Sequence, residues 1–331
     1  MMKAAFFCKF PQKVDYVYAL GRRERLAEMF QLYENVITPE NIADEIENIK
    51  DIDCIFSTWG MFAPTEEYLD QLTNLKIVFY GAGTVKYFAE PFLRRGIQVV
   101  TSAQANGEFV ADYSASQIQL AAKGFFHNLR VNNYSARDFH GHFPYTGFFE
   151  INVGLIGAGM IGRMVIERMK LPSIHTCVYD PYLSEEKAKE LGVKKCSLEE
   201  IFSTCLVVSN HAPNIPETEK MLTAAHFASM LPHATFINTG RGATVDEEGM
   251  IAVLKERKDI VALLDVTWPE PPAEDSPLLH MSNIYHTTHI AGSMGNEVVF
   301  MADLCLQEAQ RFLNGEPLKY SVTLEMLKTM A

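Results

Sequence analysis

Two histidines lie three residues apart in the segment 285–292, YHTTHIAG: His286 and His289. Imidazole titrates near neutral pH and ligates metals, so such a pair could move protons or share a cation. His-x-x-His suits ligation on a helix, whereas His286 here follows the strand-like Asn283-Ile284-Tyr285. No cysteine cluster or acidic pair completes a tetrahedral set, so no metal is expected. Three more charged residues stand upstream: Arg241 in NTGRGATVDEEGM, and Asp265 and Glu270 in ALLDVTWPEPP. These residues and His289 fall at or just beyond the end of an apolar, strand-like run. In a doubly wound sheet that end is the ligand crevice. Arg241, Asp265, Glu270 and His289 are therefore expected to converge, although 48 residues separate the first from the last. His286, on the run leading in, reads as structural.

A second pattern says what they would converge on. VGLIGAGMIGRMV carries Gly157-x-Gly159-x-x-Gly162, preceded by an apolar strand and followed by a helix. The next strand closes at Asp180, so the unit 151–180 has the 30-residue length of a βαβ crossover. Gly157 would permit the tight turn, Gly159 the approach of a diphosphate, and Gly162 the close packing of helix on strand. The diphosphate would rest on the free amides of that helix start, including Met160 and Ile161. Asp180, 18 residues past Gly162, can accept hydrogen bonds from both ribose hydroxyls and would repel a 2′-phosphate. The cofactor expected is NAD rather than NADP. The plainer role for Asp180 is a cap on the turn before Pro181.

The elements that must position these residues form two series. Apolar runs at 2–7, 53–57, 76–80 and 97–101 alternate with helical patterns such as 85–95. A second series of strands follows at 151–156, 175–180, 206–210, 234–238, 260–265 and 284–286. Such alternation argues for parallel sheets. Between the series, 105–130 reads as one long helix, followed by a crossing loop, DFHGHFPYTGFFE. Ser197-Leu-Glu-Glu200 has the form of a capping box, and Asp246 is expected to cap a helix running to about Lys258. After Gly295 a helix runs through Phe312 and stops at Asn314-Gly315. It is expected to return to the first domain. The expected division is a discontinuous first domain, 1–108 plus 296–331, and a second domain, 109–295.

Composition excludes several partners. Of 331 residues, 29 are Lys or Arg and 41 are Asp or Glu, a formal charge of −12. Such a surface repels phosphate backbones and anionic lipid, so neither nucleic acid nor membrane is expected as a partner. No apolar run approaches the ~20 residues of a membrane span. The opening MMKAAFFCKFPQK is interrupted by Lys9 and too short for a signal-peptide core. Six scattered cysteines without paired spacing read as reduced thiols of a cytoplasmic protein.

Taken together, NTGRG…VDE, LLDV…EPP…SPLL…N and THIAG resemble, in order and spacing, the D-isomer-specific 2-hydroxyacid dehydrogenase family, over nearly the whole chain. The resemblance implies an α/β protein of two Rossmann-like domains with parallel sheets and the active site in the cleft between them. The first domain, flavodoxin-like, would bind substrate and the second NAD. It implies a small 2-hydroxy or 2-oxo acid as substrate and a homodimer. It gives His289 the role of acid/base, with Glu270 fixing its tautomer, and Arg241 the substrate carboxylate. Asp265 would orient the nicotinamide carboxamide, with Gly292 closing the motif at the cofactor. His211, Pro213 and Thr218 in NHAPNIPETEKM would line the cofactor cleft, and Thr239 and Gly240 would touch the nicotinamide ribose. Ala82 and Gly83 in YGAGTVKYF would take the substrate carboxylate on their amides. The chain departs from the family pattern at Thr288, where proline is usual, and at Asp112, where glutamate is common. Two rivals remain: an NAD(H)-responsive binding protein on the same fold, and another NAD enzyme such as a formate or amino-acid dehydrogenase.

Overall fold

A computed structural model describes residues 1–130, 147–328 and 330. The chain divides into two compact units: Met1–Gly107 joined by Ser293–Ala331, and Glu108–Gly292.

In the first unit the order is β1 (Lys3–Phe6), α1 (Pro11–Val17), α2 (Arg22–Met29), β2 (Gln31–Leu32), α3 (Ile42–Ile49), β3 (Cys54–Ser57), α4 (Glu66–Gln71), β4 (Ile77–Tyr80), α5 (Ala89–Arg94) and β5 (Gln98–Thr101). The strands form one parallel sheet, β2-β1-β3-β4-β5. Strands β3 and β4, CIFS and IVFY, are buried at every position, as befits a parallel sheet covered on both faces. The four expected strands lie within their windows. β2 has two residues and no apolar run to announce it. The helix expected over 85–95 starts only at Ala89, because Pro91 lacks an N–H and belongs in a first helical turn.

α6 (Ala103–Ala122) leaves this sheet, and α7 (Phe125–Leu129) follows. The single helix expected over 105–130 is thus two. Gly124 takes a left-handed φ of +75°, which closes α6 and opens α7. Residues 138–146 of the expected crossing loop lie outside the described residues.

The second unit continues with β6 (Ile151–Ile156), α8 (Met160–Arg168), β7 (Ile174–Tyr179), α9 (Glu185–Leu191), β8 (Lys194–Lys195), α10 (Leu198–Thr204), β9 (Val207–Asn210), α11 (Ala224–Ser229), β10 (Thr235–Asn238), α12 (Glu247–Glu256), β11 (Val261–Leu264) and β12 (Ile284–His286). Its parallel sheet runs β12-β11-β10-β9-β6-β7-β8. Chain order reverses at the β6–β9 boundary, which is therefore the switch point where a doubly wound sheet opens a crevice. The Ser197 hydroxyl accepts from Glu200 N at 3.1 Å, half of a capping box. The Glu200 carboxylate pairs with Lys194 instead of reaching back. Asp246 caps α12 through Gly249 N at 3.2 Å, and the helix ends two residues before Lys258.

The chain then returns to the first unit as α13 (Val298–Leu313), stopped at Asn314 and Gly315. The Ser102 hydroxyl donates to Met301 O at 2.8 Å, and Val322 N donates to Val99 O at 2.8 Å. Buried Glu308 takes the amides of Lys319 and Tyr320 at 2.8 and 3.2 Å, tying the terminal segment to the helix.

The first unit's core centres on Phe56, whose ring stacks on Phe79 at 4.9 Å and meets Phe30 at 5.4 Å and Phe6 at 6.1 Å. Phe56→Ala would remove a fully buried ring from this cluster. A loss of about 3–5 kcal/mol is expected, read as a fall in the midpoint of denaturant unfolding. A loss below about 1 kcal/mol would mean that Phe56 is not the centre of the packing.

Candidate active site

The glycine turn at the switch point follows from sterics. Gly157 sits at φ +95°, and a Cβ there would meet the backbone of His211 at 3.0 Å. A Cβ on Gly162 would lie 2.0 Å from Gly157 O, so helix and turn touch through backbone alone. Around Gly159 there is open space. The amides of Gly159, Met160, Ile161 and Gly162 donate to no acceptor among the described residues. A helix start with free amides beside an open glycine suits a diphosphate. Asp180, just past β7, accepts from Ala158 N at 2.7 Å and from Tyr182 N at 2.8 Å. It thus caps its own turn and holds the glycine turn, and a carboxylate has about four acceptor sites, so roughly two remain.

The loops after β9 and β10 are stitched by two buried asparagines, Asn210 and Asn238, that close those strands. Asn210 Nδ2 donates to Asn238 Oδ1 at 3.1 Å and to Thr244 Oγ1 at 2.8 Å, while its Oδ1 accepts from Ala212 N at 3.1 Å. Asn238 in turn accepts from Gly240 N at 3.1 Å and donates to Arg241 O at 3.2 Å. This network sets the backbone at Gly240 and Arg241. Neither asparagine is among the expected site residues; their signal is a polar residue closing an apolar run, in VVSN and TFIN. Thr239 is buried, with its hydroxyl 2.9 Å from Ser114 Oγ and 3.5 Å from His211 Nδ1. Nε2 of His211 lies 3.0 Å from Ser209 Oγ. Burial pushes the His211 pKa down to about 4, so the ring is neutral at pH 7. Thr218 Oγ1 donates to Pro213 O at 2.6 Å and accepts from Ile215 N at 3.1 Å, a clasp within its own loop.

Arg241 enters a short 3-10 turn whose first residue, Gly242, would place a Cβ 2.1 Å from Thr267 O. Its guanidinium donates to Gly240 O at 2.7 Å and meets no carboxylate within ion-pair distance among the described residues. Burial pulls its pKa down and the Glu270 carboxylate opposes that; an arginine remains a cation throughout. Strand β11 delivers Asp265, whose buried carboxylate accepts from Thr287 Oγ1 at 2.6 Å, Ile290 N at 2.8 Å and Ala291 N at 3.0 Å. His289 N donates to Asp265 O at 3.1 Å, and His289 holds a left-handed φ of +60°. Its Nδ1 lies 2.5 Å from Glu270 Oε1. Half of the His289 side chain is exposed. His286 ends β12 with an exposed side chain, outside the core. Gly292 follows the Asp265-held segment and is the last residue of the second unit.

Within the second unit, Arg241, Asp265, Glu270 and His289 therefore form one group, and the glycine turn, Asp180 and His211 another at the switch point. Ala82 and Gly83 lie in the first unit, after β4. Thr101 Oγ1 donates to Ala82 O at 3.1 Å and Gly83 O at 2.5 Å, and the amides of both residues donate to no acceptor among the described residues.

A doubly wound sheet with a glycine turn at its switch point defines a dinucleotide-binding α/β protein. Residues 123–291 match the family model for the D-isomer specific 2-hydroxyacid dehydrogenase, NAD binding domain, and the chain belongs to that family. It is 27% identical over 268 residues to a D-3-phosphoglycerate dehydrogenase of Archaeoglobus fulgidus, covering 79% of this chain and 50% of the relative. To that of Methanocaldococcus jannaschii it is 28% identical over 276 residues, covering 82% and 52%. The chain spans about half the length of these curated relatives. A crystal structure of a phosphoglycerate oxidoreductase from Rhizobium etli shares the fold, with a TM-score of 0.81 and 22% identity over 99% of this chain and all of that one. No helix among the described residues is long and apolar enough to cross a membrane.

Two histidines of the second unit make stability depend on pH. Burial pushes His127, like His211, down to about 4 from the ordinary 6.5. Between those values the unfolded chain binds protons that the native state refuses. Stability should therefore fall as pH drops from about 6.5 to about 4. His127→Gln should make the denaturation midpoint fall less steeply over that window than in the wild type. An unchanged slope would show that this ring titrates normally in the fold.

Proposed function

We propose that the chain interconverts a small D-2-hydroxy acid and its 2-oxo acid, with NAD as the hydride carrier. The observation that carries this reading is the 2.5 Å contact between His289 Nδ1 and Glu270 Oε1, on a loop that Asp265 holds. Glu270 fixes Nδ1 as the nitrogen bonded to carboxylate, which leaves Nε2 to exchange a proton with the C2 oxygen. Arg241, with no carboxylate partner among the described residues, anchors the substrate carboxylate through its planar fork of donors. Bound NAD supplies or accepts the hydride at C2. The free amides at the start of α8 hold its diphosphate, and Asp180 takes the ribose hydroxyls with its remaining lone pairs. His211, Pro213, Thr239 and Gly240 line the cofactor's path. Asp265 and Gly292 set the loop at the nicotinamide end, where the carboxamide is read. In this assignment Thr218 acts through its clasp on Pro213 O rather than by touching the ligand. The amides of Ala82 and Gly83 in the first unit are the donors we assign to substrate carboxylate oxygen.

The decisive experiment is oxidation of NADH by the purified protein across 2-oxo acids graded in size, with NADPH alongside. At least one acid should be reduced quickly, and NADH should be preferred, because Asp180 repels a 2′-phosphate. His289→Ala should cut turnover of that acid by about 100-fold or more while leaving the affinity for NADH intact. Normal turnover in this variant would remove His289 as the acid. Tight NADH binding with negligible turnover of every acid would favour a cofactor-responsive binding protein.

We further propose a homodimer built through the second unit. Leu120, Phe125, Leu129 and Phe149 are exposed apolar residues of that unit, and their burial would be favourable. Light scattering should give twice the 37.3 kDa chain mass. A monomer at micromolar concentration would refute the dimer.

A further inference from the structure

Hydroxyls of two successive residues on α6 reach the strand-end loops of the second unit. Alanines allow the approach: Ala111, Ala115 and Ala122 of α6 are buried in one cluster with Ile237 of β10 and with Val261 and Leu263 of β11. How near a helix lies to its neighbour depends on the side chains at the contact, and these are small. Neighbouring helix positions point about 100° apart. Tyr113 and Ser114 accordingly meet different loops.

The Tyr113 hydroxyl lies 3.2 Å from Thr287 Oγ1, and Thr287 Oγ1 donates to Asp265 Oδ1 at 2.6 Å. A threonine has one O–H and Asp265 takes it, so Tyr113 is the donor to Thr287. Burial raises the Tyr113 pKa from its ordinary value, and the phenol keeps the proton it donates. Beyond Thr287 the Asp265 carboxylate takes the amides of Ile290 and Ala291, and its carbonyl takes His289 N. A hydroxyl on α6 is thus the outermost member of the network that fixes the His289 backbone.

Ser114, fully buried, has its Oγ 2.9 Å from Thr239 Oγ1, in the loop that leads to Arg241. Strand β11 lies between β10 and β12, so the loops after those outer strands are roughly 9–10 Å apart. One turn of α6 spans that gap, held at Thr239 by Ser114 and at Thr287 by Tyr113. Ser114 fixes the helix, and Tyr113 sets the His289 loop against it.

We propose that Tyr113 is a positioning residue for His289, acting through Thr287 and Asp265. The inference rests on the reading of His289 as the acid/base. In this assignment the phenol touches neither substrate nor cofactor. It keeps the loop in the conformation that pairs Nδ1 with Glu270, and its removal slows the proton step alone.

Tyr113→Phe keeps the ring and removes the donor. It should lower kcat for the best 2-oxo acid by roughly three- to tenfold, the reach of one hydrogen bond, while the Kd for NADH and the KM for the acid hold. The solvent deuterium isotope effect on kcat should rise, because proton transfer then limits turnover more. Thr287→Val should act likewise, and Thr287→Ser, which restores the hydroxyl, should recover the rate. Tyr113→Phe combined with Thr287→Val should be no slower than Thr287→Val alone. Multiplied losses in the double variant would overturn the path through Thr287. An unchanged kcat and isotope effect in Tyr113→Phe would overturn the role and leave the proposed reaction standing. If the wild type reduces no acid, the proposed reaction fails, and hydrogen–deuterium exchange still reads the clamp: residues 287–291 should exchange faster in Tyr113→Phe than in the wild type. Equal exchange there, or a rise spread over the whole unit, would overturn it.

Discussion

One buried carboxylate organises the strand-end loops of the second unit. Asp265 closes β11 and takes three hydrogen bonds from the segment 287–291, while its carbonyl takes a fourth from His289 N. A carboxylate withdrawn from water is costly unless its lone pairs are satisfied, so Asp265 and this segment order one another. The left-handed backbone at His289, unusual for a residue with a Cβ, persists because hydrogen bonds on both sides of it fix the chain. The ring that results points at Glu270. Removing the Asp265 carboxylate would free the loop that carries His289.

The same logic, applied with backbone instead of side chains, makes the glycine turn after β6. Gly157 and Gly162 are in contact distance where any side chain would intrude, and Gly157 also packs on the backbone of the His211 loop. The reversal of strand order at β6 and β9 brings these segments to one edge. Asp180 adds a second restraint, because its hydrogen bond from Ala158 N fixes the turn. Asn210 and Asn238 extend the stitching to Gly240 and Arg241. Glycine turn and arginine loop are thus parts of one polar seam along the strand ends.

The first unit repeats the plan with different chemistry. Its sheet is covered on both faces, its aromatic core is dense around Phe56, and α13 returns from the end of the chain to complete it. Hydroxyls of Thr58, Thr101 and Ser102 stitch its strand ends as the asparagines do in the second unit. A sheet whose strand ends are locked in this way can present charged side chains at fixed places.

Much of this was legible in the sequence, because it is local. Strand windows follow from apolar runs, the βαβ unit from the spacing of Gly157, Gly159, Gly162 and Asp180, and two helix starts from Ser197 and Asp246. Family motifs singled out Arg241, Glu270 and His289. Two local breakers were passed over: Gly124 splits a helix read as one, and Pro91 delays another. Beyond them, legibility ended where non-local contacts decide. β2 and β8 are strands of two residues that exist through their neighbours alone. The sequence by itself determined the order of elements and the chemical types at their ends. Tertiary structure alone decided which hydrogen bonds those ends make: Asp265 with the His289 loop, Asn210 with Asn238, Thr218 with its own turn. The physical reason is that a polar side chain, once withdrawn from water, takes whichever partners the packed fold brings within about 3 Å, and sequence spacing does not fix that distance.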